Sequence, residues 1–139
     1  MDDLTPLGRI LAMVGATGMV QVLAQLTLSR MMVIFPTPRL SPHPTYYMLL
    51  HSVLAVLVLM AGHLIQVTIW AALYYEWGEL GSFAHSFYFS LASFTTLGAS
   101  ELNLSAPHRI AGAIESAVGM LMFGWSTALL VRVVQHTGP

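Results

Sequence analysis

The chain has 139 residues, of which 56% are hydrophobic and only 8% are charged. Soluble domains carry roughly a quarter charged residues, so this composition cannot cover a surface that faces water and indicates a bilayer as the main solvent. The absence of cysteine excludes disulfides and thiolate chemistry, and a formal net charge of −1 offers no basic surface for nucleic acid.

Residues 1–35 are predicted to form an additional N-terminal transmembrane helix. The chain starts acidic, whereas a signal peptide starts basic, so we expect this segment to remain in the mature protein. It contains small residues, which let helices approach closely in lipid, and we expect it to pack peripherally against the second span. Its polar residues are Thr17, Gln21, Gln25 and Thr27, and its small residues are Gly8, Ala12, Gly15, Ala16 and Gly18.

Residues 36–45 are predicted to be a stiff, cytoplasmic connector, because FPTPRLSPHPT has four prolines in eleven residues. A second unit is predicted to follow over residues 46–139. Its first long helix covers 46–75 and its last long helix covers 107–136, and both are long and apolar enough to span a bilayer. Four aromatic residues fall where the first of these helices would leave the membrane, as in an aromatic belt: Trp70, Tyr74, Tyr75 and Trp77.

Charged residues at the ends of the spans predict the orientation. Arginine-rich ends stay in the cytoplasm, which favours a cytoplasmic connector and C-terminus in a multi-pass protein of the cell membrane. The arginines at this end are Arg30, Arg39 and Arg132, those at the other end are Arg9 and Arg109, and the glutamates at the other end are Glu76, Glu79 and Glu101.

A short apolar segment between these two spans is predicted to enter the bilayer without crossing it. Residues 82–94 are too few to span and suggest a re-entrant helix, for which Ser82 is a plausible N-cap. Irregular backbone at membrane depth is tolerated only where it is buried in protein or lines water. We therefore expect residues 95–101 to line a cavity.

This region resembles the pore-loop potassium-channel superfamily, and is most similar to small bacterial members without voltage sensors. The resemblance covers roughly Trp70 to Val134. It implies that residues 46–139 are a pore domain, with an outer helix at 46–75, a pore helix at 82–94, a filter at 95–101 and an inner helix at 107–136. In that family the pore helix ends in Thr-Thr-(Val/Ile/Leu)-Gly-Tyr-Gly-(Asp/Glu), and this chain has TTLGASE from Thr95 to Glu101. Ala99 and Ser100 stand in place of the Tyr-Gly pair.

The resemblance implies an all-α homotetramer in the lipid bilayer, with the filter loops of four chains around one axis. Rings of carbonyl oxygens would replace the hydration shell of a monovalent cation, potassium or sodium. The implied cation-binding residues are Thr96, Leu97, Gly98 and Ala99, with Thr95 preceding them and Glu101 forming an acidic ring at the outer mouth. No other cofactor is expected.

The departures from the family motif predict altered selectivity. The family's tyrosine packs against pore-helix aromatics, here Tyr88 and Phe89, whereas Ala99 has no side chain with which to meet them. Ser100 replaces a glycine of positive φ, which costs a non-glycine residue roughly 1–2 kcal/mol. We therefore expect weak discrimination between potassium and sodium.

The inner helix is predicted to line the pore below the filter. Gly119 occupies the place of the family's hinge glycine, and Phe123, Thr127 and Val131 follow at steps of four on one face. Phe123 is the candidate hydrophobic gate. The alternative is that this face is an ordinary helix-packing stripe.

The polar residues within the spans have two interpretations each. Glu115 can anchor the filter by hydrogen bonds to pore-helix hydroxyls, or contact the ion. His63 and Gln66 share one face and can form interhelical hydrogen bonds, or His63 can sense pH. No metal motif accompanies the histidines.

The sequence thus predicts a tetrameric cation channel that resembles potassium channels but has weak or altered selectivity. The alternative is a non-conducting structural or regulatory membrane subunit whose pore loop has degenerated. An enzyme is not expected, because no cluster of catalytic groups is present.

Overall fold

The computed structural model describes residues 6–34, 44–99 and 101–137 of the chain. These residues form four helices and no strand: α1 (Pro6–Ile34), α2 (Pro44–Glu76), α3 (Phe83–Phe94) and α4 (Arg109–Thr137). The predicted all-α architecture is therefore confirmed. Most of the proline-rich connector, with Arg39, lies outside the described residues, as does Ser100.

Three of the helices are long enough to cross a bilayer. The shorter two, α1 and α4, have 29 residues each, which at about 1.5 Å per residue gives roughly 44 Å. This exceeds the ~30 Å hydrocarbon core, and all three long helices are also apolar enough to span it. The 12 residues of α3 reach only about 18 Å, so α3 cannot cross.

Helix α3 begins at a capped serine, as predicted. The Ser82 hydroxyl accepts a hydrogen bond from the backbone N–H of His85 at 3.2 Å, which satisfies one of the free donors in the first turn. The cap fixes the point at which the chain turns back from α2 into the pore helix.

Helix α2 is the centre of the fold and packs against α1, α3 and α4. Buried apolar side chains form three clusters along its length, named here from the pore-loop end downwards. The upper cluster contains Ile10, Trp70, Leu73, Tyr74, Leu80, Phe89, Leu104 and Ala111; the middle cluster Val67, Phe94, Val118 and Met122; the lower cluster Ala24, Leu28, Ala55, Leu59, Leu129 and Val133.

Helix α1 packs against α2, as predicted. It also packs against α4, where Gln21 Nε2 donates to Ser126 Oγ at 3.0 Å and Trp125 Nε1 donates to Gln25 Oε1 at 3.0 Å. The polar residues that weaken α1 as a membrane span are therefore those that join it to the pore domain.

Gly15 and Gly18 of α1 do not lie close to another helix of the chain. A Cβ added at Gly15 or Gly18 would meet no atom within 4 Å, whereas one added at Gly62 of α2 would lie 3.6 Å from Ala24 Cβ. At Gly62, therefore, a glycine of α2 lies against α1.

Two of the four belt aromatics prove to be core residues. Trp70 and Tyr74 are fully buried, because their polar atoms find partners inside the protein: Trp70 Nε1 donates to Thr17 Oγ1 and Tyr74 Oη donates to Glu115. Tyr75 is exposed and Trp77 half-buried, so these two alone fit a position at the lipid interface.

Candidate ion pathway

The chain leaves α3 through a tight series of backbone hydrogen bonds. The N–H groups of Thr95, Thr96 and Gly98 donate to the carbonyls of Leu91, Ser93 and Ala92 at 3.0, 2.9 and 3.1 Å. These bonds satisfy carbonyls that the end of a helix leaves free. They also hold the first residues of the candidate filter against the last turn of the pore helix.

The backbone of the filter loop has positive φ at alternate residues. Thr96 has φ 59° and Gly98 has φ 79°. Glycine adopts this region without a Cβ penalty, whereas for a β-branched residue such as threonine it is a strained outlier. Strain of this kind is concentrated at functional sites. Positive φ thus occurs at every second residue of this stretch, at Thr96 and Gly98.

The loop turns away from its own protein core. Thr95, Thr96, Leu97 and Gly98 are all exposed, and Leu97 is 77% exposed. Glu101 is exposed as well. Since such a loop would lie at membrane depth, its exposed side requires further protein or water.

Behind the loop, Ala99 contacts the core of its own chain, and the prediction that it does not brace Tyr88 and Phe89 stays a prediction. Ala99 is partly buried and packs against the upper cluster, which includes Phe89 and Tyr74. Phe89 and Tyr74 pack edge to face with ring centroids 5.2 Å apart, whereas Tyr88 is exposed in the single chain. Contact through one methyl group is small compared with that of a tyrosine ring.

Glu115 joins the pore helix to its neighbours. It is completely buried, and its Oε1 lies 2.5 Å from Ser90 Oγ while its Oε2 accepts from Tyr74 Oη at 2.7 Å. Ser90 Oγ also lies 2.8 Å from the Val67 carbonyl oxygen. The predicted hydrogen bond to a pore-helix hydroxyl is confirmed, and ties α4, α3 and α2 together.

The end of the pore helix rests directly on α4. Ser116 Oγ donates to the Ser93 carbonyl at 2.8 Å. At Gly119, one turn further along, an added Cβ would lie 2.0 Å from the carbonyl oxygen of Phe94. Gly119 is thus required here for close approach, and its role as a hinge remains a prediction.

The predicted pore-lining face of α4 is exposed in the single chain. Phe123, Thr127 and Val131 are all accessible, although Phe123 also packs on its own protomer, with its ring 4.9 Å from that of His63 and 5.5 Å from that of Phe94. The candidate gate therefore contacts both the pore helix and a polar network behind it.

This network is a closed ring of four hydrogen-bonded side chains from three helices, here called the polar ring: Gln21, Ser126, His63 and Gln66. The bonds are 3.0 Å from Gln21 to Ser126, 3.0 Å from Ser126 to His63 Nε2, 3.2 Å from His63 Nδ1 to Gln66, and 3.1 Å from Gln66 to Gln21. The predicted interhelical hydrogen bonds of His63 and Gln66 are confirmed.

The direction of each bond in the polar ring follows from its acceptors. Gln66 Oε1 can only accept, so His63 Nδ1 carries the hydrogen. With the neutral imidazole, Nε2 then accepts from the hydroxyl of Ser126, which itself accepts from Gln21 Nε2. Every member donates to the next, so the ring is complete in one direction.

A second polar cluster lies near the outer mouth. Glu79 accepts from the backbone N–H of Ser105 at 2.7 Å, from its hydroxyl at 2.6 Å, and from His108 Nδ1 at 2.5 Å. The His108 ring stacks on Trp77 with centroids 4.1 Å apart. These contacts tie the loop after the filter to the turn after α2.

The cluster keeps the Glu79 carboxylate charged. Burial alone would raise its pKa, but the hydrogen bonds from Ser105 and His108 outweigh burial and lower the pKa of Glu79 below its usual range. The Ser-His-Glu composition is not a hydrolase triad, because Ser105 and Glu79 both face His108 Nδ1, whereas a triad uses both ring nitrogens.

Some of these partners could not be identified from the sequence. Ser90, Tyr74 and Ser126 are ordinary residues of apolar helices, and the sequence indicated only that Glu115, His63 and Gln66 need partners, not which residues these are. Within the described ranges, no group of three His, Asp or Glu side chains could hold a metal ion.

Comparison with known proteins gives one family. A family model described as "Ion channel" matches residues 53–136, more than half of the chain, from within α2 to near the end of α4. No curated protein and no solved structure matches the chain. The matched segment contains the pore helix, the candidate filter and the inner helix. The chain therefore belongs to this ion channel family, within the pore-loop potassium-channel superfamily.

Proposed function

We propose that four copies of the chain assemble around one axis as a cation channel that discriminates weakly between potassium and sodium. The observation that carries the proposal is the loop at residues 95–99, which is irregular, strained at Thr96 and exposed at residues 95–98 in the single chain. One chain can supply only a quarter of each carbonyl ring, so the loop is incomplete without further copies.

The proposed cation sites are the carbonyl rings at Thr96, Leu97, Gly98 and Ala99. Glu101 supplies an acidic ring at the outer mouth, and Phe123, Thr127 and Val131 line the inner cavity. Their exposure in the single chain supports these positions. Weak selectivity follows from Ala99, whose one methyl group gives the outer filter little support against Phe89.

Ion flux and protein mass together test this proposal. Purified protein in liposomes should pass both potassium and sodium down a gradient, and light scattering in mild detergent should give the mass of four chains. A monomer or dimer that conducts would contradict the shared pore. A tetramer silent to both ions would favour the alternative, a non-conducting membrane subunit.

We further propose that the end of α4 is cytoplasmic, because arginines favour that side. The chain has no cysteine, so single cysteines can be introduced without background. An impermeant maleimide added to intact cells should label Gly78→Cys and leave Gln135→Cys unlabelled. The reverse pattern would invert the orientation.

A further inference from the structure

If the carboxyl group of Glu115 is ionised, too few hydrogen atoms are available for the hydrogen bonds seen around it. Ser90 Oγ lies 2.8 Å from the Val67 carbonyl oxygen and 2.5 Å from Glu115 Oε1. Two oxygens this close need a hydrogen atom between them. The contacts of Ser90 Oγ with the Val67 oxygen and with Glu115 Oε1 therefore require two hydrogen atoms. Ser90 has one hydroxyl hydrogen, and a backbone carbonyl has none.

Tyr74 cannot provide the missing hydrogen. Its hydroxyl hydrogen is used at the other carboxyl oxygen, Glu115 Oε2, at 2.7 Å. The carboxyl group itself is then the source. We propose that Glu115 is a neutral carboxylic acid, whose Oε1–H donates to Ser90 Oγ while Ser90 donates onward to the Val67 carbonyl.

The surroundings of Glu115 agree with this arrangement. The side chain is fully buried, and within the described part of the chain its hydrogen-bond partners are Tyr74 from α2 and Ser90 from α3, with no arginine or histidine paired to it. Tyr74 is the titratable group that faces it. Burying a charged carboxylate here without a cationic partner would cost free energy, which a neutral carboxylic acid avoids.

Glu115 is on this proposal a positioning residue. The chain of bonds from α4 through Ser90 to the backbone of α2 fixes the middle of the pore helix, four residues before its end at Phe94. A neutral acid also adds no charge beside the ion pathway. The protonation state does not depend on the proposed function, whereas an effect of Glu115 on selectivity does.

Infrared spectroscopy tests the protonation state directly. At pH 7 the wild type should show the C=O stretch of a protonated carboxylic acid, shifted in D₂O and absent in Glu115→Gln. The control Glu79→Gln should retain the band, because Glu79 is a charged group at the outer mouth. Absence of a Glu115 band at pH 7, with only carboxylate bands present, would overturn the proposal.

Substitution tests the role. A glutamine reproduces the neutral acid, since its amide N–H can donate to Ser90 and its oxygen can accept from Tyr74. Glu115→Gln should therefore keep ion flux and the potassium-to-sodium ratio within twofold of wild type, whereas Glu115→Leu should change the ratio more than twofold. Equal losses in both variants would show that the charge is needed. If no variant conducts, the proposed function fails while the infrared band still decides protonation.

Discussion

The carbonyl oxygen of Phe94 lies 2.0 Å from the point that a Cβ on Gly119 would occupy. The last residue of the pore helix thus touches the backbone of the inner helix. The Phe94 oxygen is a backbone atom, and a Cβ is bonded directly to the backbone of Gly119. Neither atom can therefore move aside as the end of a flexible side chain would. This contact couples the position of the filter to the position of α4.

Gly119→Ala should therefore destabilise the protein by roughly 1–3 kcal/mol, the usual effect of overpacking. Denaturant unfolding in detergent measures it. Gly124→Ala is the matched control. Gly124 lies on the same helix as Gly119, and a Cβ there would meet nothing within 4 Å. Equal stability of the two variants would contradict the contact at Phe94.

Gln21→Leu should lower the free energy of unfolding by about 1–2 kcal/mol, because it weakens the attachment of α1 to the pore domain. It removes two hydrogen bonds of the polar ring, and interhelical hydrogen bonds in lipid average about 0.6 kcal/mol. Gln25→Leu removes an exposed α1–α4 bond, to Trp125, and should have less effect. Unfolding of both variants in one detergent makes the comparison. A larger loss for Gln25→Leu would place the main α1–α4 link outside the ring.

Glu101→Gln should reduce single-channel conductance more at low salt than at high salt. In the proposed tetramer four carboxylates near the axis would concentrate cations, and the Debye length falls from about 30 Å at 0.01 M salt to about 3 Å at 1 M. Glu76→Gln, at the exposed end of α2, serves as the control. Unchanged conductance at low salt would place Glu101 away from the mouth.

The cluster at Glu79 should stabilise the protein at neutral pH and lose its effect in acid. The lowered pKa of Glu79 means that its contribution is complete above about pH 4.3, the usual value for glutamate, and disappears as pH falls through the lower folded value. Glu79→Gln should therefore be less stable than wild type by roughly 1–3 kcal/mol at pH 7. The difference in stability between wild type and Glu79→Gln should disappear in strong acid. A difference that does not depend on pH would rule out the contribution of the charged carboxylate.

Ala99→Tyr combined with Ser100→Gly should shift the reversal potential under potassium/sodium gradients towards potassium. The pair restores the ring above Phe89 and the glycine at the next position, and both are needed together. Each single change is the control and should do little. A wild type that already prefers potassium strongly would refute the argument from the missing Tyr-Gly pair.

The sequence predicted elements well and contacts less well, for identifiable reasons. Apolar length defined α1, α2 and α4, and the TTLG motif located the loop after α3. Trp70 and Tyr74 were misplaced at the lipid interface because their partners, Thr17 and Glu115, lie far away in sequence. The contact of α1 with α4 was missed likewise, since nothing local indicates that Gln21 meets Ser126.

The polar ring also constrains the order in which the chain can become native. Its bond from Gln21 to Ser126 spans 105 positions of sequence and joins the first long helix to the last. During synthesis Gln21 enters the membrane before any of its partners exists, and the ring cannot close until α4 has been inserted. A polypeptide arrested before Ser126 would hold amide and imidazole groups without their final partners in lipid. Unpaired polar groups within the membrane would thereby distinguish incomplete chains from finished ones.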